Sequence, residues 1–323
     1  MKREIRFALE GRDWWKPFTV YWIVFIILYV PQFLIRSGSQ TAPDRVVLNL
    51  IVSFVIAFLM MIVGSIYAIV FFRIMLPKII VADKQLAFGG AIGRYVWLNV
   101  SGLLLSIITI GVYFPWYFRR ITAYLVSQST IDGVAPQFLG KGGKLFVNLL
   151  LCFVVPFVVL MGLLVLALTL TPAGGAPGST QLLTSLVTLV VIFLIMVPMV
   201  YTIYKWYVNI QWRGYLLLWR TKFWRSVGFI LGQTVLTIIT LSVYWPVAFI
   251  RIYRYFCART LVTEGEREAW RLAFEGPVGK GFGLLWGQTL LMTITIGFYS
   301  PWGVTKIARW MLNRTVLESP PAA

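Results

Sequence analysis

Three cations stand at one fixed distance from three prolines. Five residues beyond Pro115, Pro246 and Pro301 lie Arg120, Arg251 and Lys306. Eight residues beyond the last two lie Arg254 and Arg309, and Arg119 adds a charge in the first copy. Each proline belongs to a recurring segment: residues 109–116 read T-I-G-V-Y-F-P-W, residues 240–247 read T-L-S-V-Y-W-P-V, and residues 295–302 read T-I-G-F-Y-S-P-W. Every copy closes one apolar run and opens a second, cation-bearing one. Fixed cations of this kind bind anions. An Arg at mid-membrane costs about 2.5–3.5 kcal/mol on insertion scales and less near an end, so their placement asks for a reason. Two readings stand: snorkelling to phosphate headgroups, or a ring of cations lining a vestibule for anionic lipid or solute.

Other chemistry is poorly provided for. The chain has no histidine, so no Ser-His-Asp triad can form. Cys152 and Cys257 both sit inside apolar runs and read as small packed side chains. Without a His or Cys cluster there is no ligand set for a zinc, haem or iron–sulfur site, and no cofactor is expected. None of the eleven acidic residues falls in the middle of an apolar run. That removes both the intramembrane carboxylate of a proton-coupled transporter and a buried acid/base pair. An enzyme is therefore not expected.

Composition places these groups in a membrane. Hydrophobic residues make up 59% of the chain and charged residues 12%, about half the charge of a soluble domain. Net charge is +18, but Lys and Arg sit in short clusters between apolar runs, which suits anionic headgroups rather than nucleic acid. Runs near 17–36, 46–72, 145–171 and 181–206 reach the length of a membrane span; runs near 95–113, 225–244 and 282–299 are shorter. The shorter three each lead through a Tyr-x-Pro corner into a second run near 116–131, 246–262 or 301–316. Proline suits a corner because it blocks a helical hydrogen bond and pushes its predecessor out of helical geometry. Basic clusters at the N-terminus and near 73–94, 141–144 and 205–225 share one side only if every corner returns the chain. The uncharged stretch Thr171–Thr180 then lies outside. The expected fold is an all-α polytopic membrane protein: about ten helices in five hairpin pairs, with short cytoplasmic β-hairpins between pairs and both termini cytoplasmic. It is a single membrane domain over 1–323, with repeat units near 7–85, 86–136, 137–223, 224–272 and 273–317.

A second motif precedes the helices on the basic side. Phe88-Gly-Gly90 with Gly93, Phe138-Leu-Gly140 with Gly143, and Phe274-Glu-Gly276 with Gly279 share the spacing F-x-G-x-x-G. Phe7-Ala-Leu-Glu-Gly11 is at best a degenerate copy. Turns and helix entry explain the glycines; a phosphate-binding loop would need a βαβ unit that this context lacks. Asp132-Gly133 is a β-hairpin signal. Deeper in the helices, Gly228-x-x-x-Gly232-Gln233 matches Gly283-x-x-x-Gly287-Gln288. The glycines suit close packing, and Gln233 and Gln288 either bond between helices or line a polar path. Tyr113, Tyr244 and Tyr299, two residues before the corner prolines, suit an aromatic belt at the interface.

Taken together, Gly111-Val-Tyr-Phe-Pro-Trp116, Gly297-Phe-Tyr-Ser-Pro-Trp302, Ile131-Asp-Gly133 and Phe138-Leu-Gly-Lys-Gly-Gly-Lys-Leu-Phe146 resemble the YjgN-like family of bacterial inner-membrane proteins. The resemblance is strongest over about 86–150 and 225–316. It implies a multi-pass bacterial inner-membrane protein and no catalytic residues, the family being a domain of unknown function. The second corner departs from the pattern: Val247 stands where the others have Trp. Transport or lipid and solute handling at a basic cytoplasmic face is the expected function. The alternative is a structural or accessory membrane protein that binds partners or anionic lipid without a transport path. Membrane lipids, anionic ones foremost, are the expected partners; a homo-oligomer or a membrane partner protein stays open.

Overall fold

The computed structural model describes residues 2–38, 44–170, 188, 196–265 and 267–319. Helices form along the apolar runs. They are α1 (Gly11–Gly38), α2 (Asp44–Met75), α3 (Ile92–Ile108), α4 (Phe114–Gln128) and α5 (Gly142–Leu149). α5 passes through one π-helical stretch, Leu150–Val154, into α6 (Val155–Leu170), and α7 covers 196–207. Then come α8 (Phe223–Ile239), α9 (Trp245–Cys257), α10 (Val278–Ile294) and α11 (Ser300–Leu312). The segment Thr171–Thr180, expected to be external, lies outside the described residues, as does nearly all of the predicted 181–206 helix before residue 196.

The fold is not the all-α stack of hairpin pairs that the sequence led us to expect. Among the described residues, ten strands form one antiparallel sheet: β1 (Lys2–Phe7), β2 (Ile79–Val81), β3 (Lys84–Phe88), β4 (Ser129–Ile131), β5 (Gln137–Phe138), β6 (Asn209–Trp212), β7 (Tyr215–Trp219), β8 (Thr260–Glu264), β9 (Arg267–Phe274) and β10 (Thr315–Glu318). Their order is β4-β3-β2-β1-β10-β9-β8-β7-β6-β5. The strand that enters each helical pair is bonded to the strand that leaves it. The motif aromatics sit on these pairings: Phe7 opposite Ile79, Phe88 opposite Ser129, Trp219 opposite Thr260 and Phe274 opposite Thr315. Such pairings join residues far apart in sequence, so local patterning exposed the hairpins between pairs but not the ladder across them.

The span lengths need correction too. Among the described residues, three helices are long and apolar enough to cross a membrane: Gly11–Pro31, Val46–Lys78 and Gly142–Gly162. α3, α8 and α10 have 17 residues each, about 26 Å at 1.5 Å per residue, short of a hydrocarbon core of about 30 Å. α9 and α11 have 13 residues and are shorter still.

The sheet nearly closes on itself. Its edges, β4 and β5, are consecutive in the chain. Asp132 and Gly133, both at positive φ, turn the chain so that Ile131 and Val134 exchange two backbone hydrogen bonds of 3.1 and 3.0 Å. Pro136 follows, with no N–H to continue the ladder. Side chains clasp the gap. Lys84 on β3 pairs with Asp132, and its Nζ lies 5.5 Å from the ring of Trp212 at the end of β6. Arg213 Nη1 lies 3.7 Å from the same carboxylate. On the opposite side β1 pairs with β10, and Glu275 and Glu318 hold the Lys2 ammonium above its ordinary pKa through hydrogen bonds and charge.

The helices follow the same circuit. α11 packs on α1, where Trp14 Nε1 donates to Thr305 Oγ1 at 3.0 Å. Glycines permit close approach between successive units: a Cβ on Gly11 would lie 2.6 Å from the Trp302 ring, and one on Gly142 would lie 2.8 Å from Trp116. Trp116 and Trp302 are the tryptophans that follow the corner prolines. The departing corner replaces this Trp with Val247, and the position matching Gly11 and Gly142 in the next unit is Val278. A large–small pair has become two medium residues. Gly142→Val alone should therefore overpack the α4–α5 contact and lower stability by about 1–3 kcal/mol. Adding Trp116→Val should recover most of the loss, as read by thermal unfolding in detergent.

Candidate functional site

The three corners are built alike. At the end of α3 the Gly111 N–H bonds the Ser106 carbonyl at 2.6 Å and the Ile110 N–H bonds the Ile107 carbonyl at 3.0 Å. This is a Schellman closure, which puts Ile110 in the left-handed region at φ 50°. α8 and α10 close the same way, with Leu241 and Ile296 each at φ 48°. Thr109, Thr240 and Thr295 then accept the N–H of Tyr113, Tyr244 and Tyr299 at 3.0–3.1 Å. Pro115, Pro246 and Pro301 follow in the first turn of the returning helix, where a missing N–H costs nothing.

Glycine is the usual residue at a left-handed C-cap, and a β-branched or bulky residue there is an outlier that costs about 1–2 kcal/mol. Ile110, Leu241 and Ile296 nevertheless hold it while 93%, 89% and 78% exposed. Flanking residues add to each apolar tip: Ile108 and Val112, Ile239 and Val243, Ile294 and Phe298 are all exposed.

Two turns below each tip stands the recurring cation. Arg251 Nη1 donates to the Tyr244 hydroxyl at 2.7 Å, and that hydroxyl donates to Gln233 Oε1 at 3.0 Å. Lys306 Nζ donates to Tyr299 at 2.9 Å, which donates to Gln288 at 3.1 Å. Each tyrosine thus relays between a cation and an amide, and such chains strengthen cooperatively. The first corner differs. Arg120 lies 5.5 Å from the Tyr113 ring, and the buried Tyr113 hydroxyl has no hydrogen-bond partner among the described residues. The amide's place, eleven residues before the tyrosine, is taken by Gly102. A Cβ there would come within 1.8 Å of Tyr117, whose hydroxyl bonds Asn99 at 2.8 Å instead. Ala248 and Gly303 occupy the place of Tyr117 in the other two corners. A Gly–Tyr pair has replaced a Gln–small pair in the same volume.

Arg119, Arg254 and Arg309 do a different job. Arg119 Nε donates to the Gly140 carbonyl at 3.0 Å, Arg254 Nη2 to Gly276 at 2.6 Å, and Arg309 Nη2 to Leu9. Each acceptor is the third residue of the next unit's F-x-G motif, so each arginine fastens one unit to the next. Arg73 Nη2 does the same to Gly90 at 2.7 Å, a role that sequence reasoning missed although the residue lies in the last turn of α2. The glycine in three of the motifs also leaves room for its own aromatic: a Cβ on Gly90, Gly140 or Gly276 would lie 2.5, 2.3 or 2.2 Å from the Phe two residues earlier. Lys306 and Arg309 do border one cavity, of about 200 Å³, but Glu10 lines it and lies 3.9 Å from Arg309. Apart from Arg120 and the Tyr113 hydroxyl at the first corner, the candidate polar side chains are thus bonded within their own units or to the next one.

The family model described as "Bacterial protein of unknown function (DUF898)" matches residues 83–155 and 144–268, more than half of the chain. The chain belongs to this family. Among curated proteins, the inner membrane protein YjgN of Salmonella typhimurium is 30% identical over 73 residues, 23% of this chain and 18% of that protein. YjgN of Escherichia coli K12 is 32% identical over 81 residues, 25% of this chain and 20% of that protein. The matches thus span about a fifth of the length of these relatives. No solved structure matches. With these relatives and its apolar spans, this family member is a membrane protein.

The exchange at the first corner is open to a direct check. Gly102→Gln alone should drive the new side chain into Tyr117 and destabilise the α3–α4 contact. Gly102→Gln with Tyr117→Ala should restore folding and give Tyr113 an amide partner, seen as a recovered melting temperature in detergent. Equal melting of the single and double variants would refute the exchange.

Proposed function

We propose that this chain is a multi-pass inner-membrane protein that handles lipid, holding anionic phospholipid at its basic cytoplasmic face, with no catalytic step. One observation carries the reading: three exposed, strained apolar tips, each with a cation two turns below. Non-polar side chains held at such an angle in water would be doubly unfavourable, in backbone strain and in hydration. Hydrocarbon removes the second cost. From the tip to the cation is about 10 Å of helix, less than one leaflet of a core about 30 Å thick. The tips then lie within the cytoplasmic leaflet, and Arg120, Arg251 and Lys306 sit where phosphates are. Exposed Trp97 and Trp224, near the starts of α3 and α8, suit the interfacial belt of the same leaflet.

In this reading the three long apolar helices cross the bilayer, the chain returns a fourth time by way of α7 to reach β6, the corner units enter without crossing, and the sheet and both described ends of the chain lie in the cytoplasm. Engagement of Gln233 and Gln288 by their own tyrosines favours locked corners over a polar transport path.

Spin labels at Ile110, Leu241 and Ile296, placed one at a time in a background with Cys152 and Cys257 changed to Ala, should be relaxed by oxygen and shielded from a water-soluble nickel chelate. Strong relaxation by the chelate at all three would exclude insertion. Replacing Arg120, Arg251 and Lys306 together with Gln should weaken binding of the solubilised protein to phosphatidylglycerol vesicles by roughly tenfold or more, and leave binding to phosphatidylcholine unchanged.

A further inference from the structure

Four of the five junctions between units carry an arginine bonded to a motif carbonyl. The junction between α7 and α8 does not, among the described residues. Its motif reads Trp219-Arg-Thr221, without the glycine, and the cation in the last turn of α7 is Lys205, which lies over the Tyr201 ring at 5.8 Å. Beside it is a cavity of about 700 Å³, between α5 and α7 and reaching the start of α8 at Phe223. Lys141, Lys144 and Lys205 border it, together with Asn148, Asn209 and Thr202, and no carboxylate does. None of the three lysines has an ion pair among the described residues.

We infer that this cavity is a specific site for a phosphate-bearing amphiphile, an anionic phospholipid of the cytoplasmic leaflet. The inference rests on the lipid-binding reading above and goes further, naming one site outside the corners. Three features support it. First, three cations without an ion pair among the described residues border one open cavity, and basic pockets between membrane helices suit anionic headgroups. Second, the backbone contributes. Lys141 is the N-cap of α5 and makes no side-chain cap, and it and Lys144 in the first turn both border the cavity, so the positive end of the helix dipole lies beside it. Third, the lining is graded. Lys141, Lys144, Asn148, Leu151 and Cys152 descend one face of α5 and the π-helical stretch, from charge to hydrocarbon. That gradient fits a headgroup followed by the first carbons of an acyl chain, and it favours lipid over free phosphate. Tyr201, 2% exposed, lines the wall, its hydroxyl beside that of Thr221, which is engaged with Ser226.

Native mass spectrometry of the full chain in detergent, titrated with phosphatidylglycerol, phosphatidylcholine or inorganic phosphate, tests the site. The wild type should retain one phosphatidylglycerol in preference to phosphatidylcholine. Lys141→Gln/Lys144→Gln/Lys205→Gln should weaken that single retained lipid on the order of 100-fold. The corner variant Arg120→Gln/Arg251→Gln/Lys306→Gln should keep it. Unchanged retention in the lysine variant at wild-type melting temperature would overturn the site, while the corner variant would still judge the broader reading on vesicles. Displacement of the lipid by inorganic phosphate at comparable concentration would overturn the amphiphile assignment. Loss of the lipid in the corner variant alone would overturn the site and leave the broader reading standing.

Discussion

In each described unit the strand that enters a helical pair is hydrogen-bonded to the strand that leaves it. This fixes both ends of the pair at one level, and each corner then points away from the sheet at a height set by helix length. Because α3, α8 and α10 all have 17 residues, three corners with the same closing hydrogen bonds are carried on equal helices. The depth of a cation is thus a consequence of strand pairing at the other end of the helix. A slip of the strand register would turn Phe7, Phe88, Phe138 and Phe274 to the other face of the sheet, away from the helices they pack against.

Packing around this ring works by exchange of volume. Where one unit presents Trp302 or Trp116, the next presents Gly11 or Gly142. Where a corner lacks its amide, Tyr117 fills the space above Gly102 and finds Asn99. Interiors tolerate such swaps when total volume is kept and each buried polar group finds a partner. The unpartnered Tyr113 hydroxyl marks the point where the exchange is incomplete.

Charge divides by role in the same economical way. Arg73, Arg119, Arg254 and Arg309 spend their hydrogen bonds on backbone carbonyls between units. Arg251 and Lys306 are steadied by tyrosine but stay exposed. Lys141 and Lys144 have neither arrangement, and together with Lys205, which lies over the Tyr201 ring, they border a cavity. Arginine's planar fork suits fixed carbonyl geometry, whereas lysine is a mobile point charge on a flexible stem. The lysine-bordered cavity is accordingly the place where a ligand can complete the charge.

The sequence by itself determined the membrane class, the approximate positions of most of the described helices, the three corners with their cations, and the turn at Asp132-Gly133. All of these rest on local chemistry: apolar run length, proline geometry, glycine in the left-handed region, and fixed spacing along one helix. Only the tertiary structure decided that ten short strands form one sheet, that the arginines after the corners fasten neighbouring units, and that Lys205 belongs with Lys141 and Lys144. Each of these joins residues from separate elements, such as Phe7 with Ile79 or Arg309 with Leu9. Strands of two to eight residues carry too little pattern to name their partners, and an arginine's spacing in the chain does not say which carbonyl its long side chain will reach.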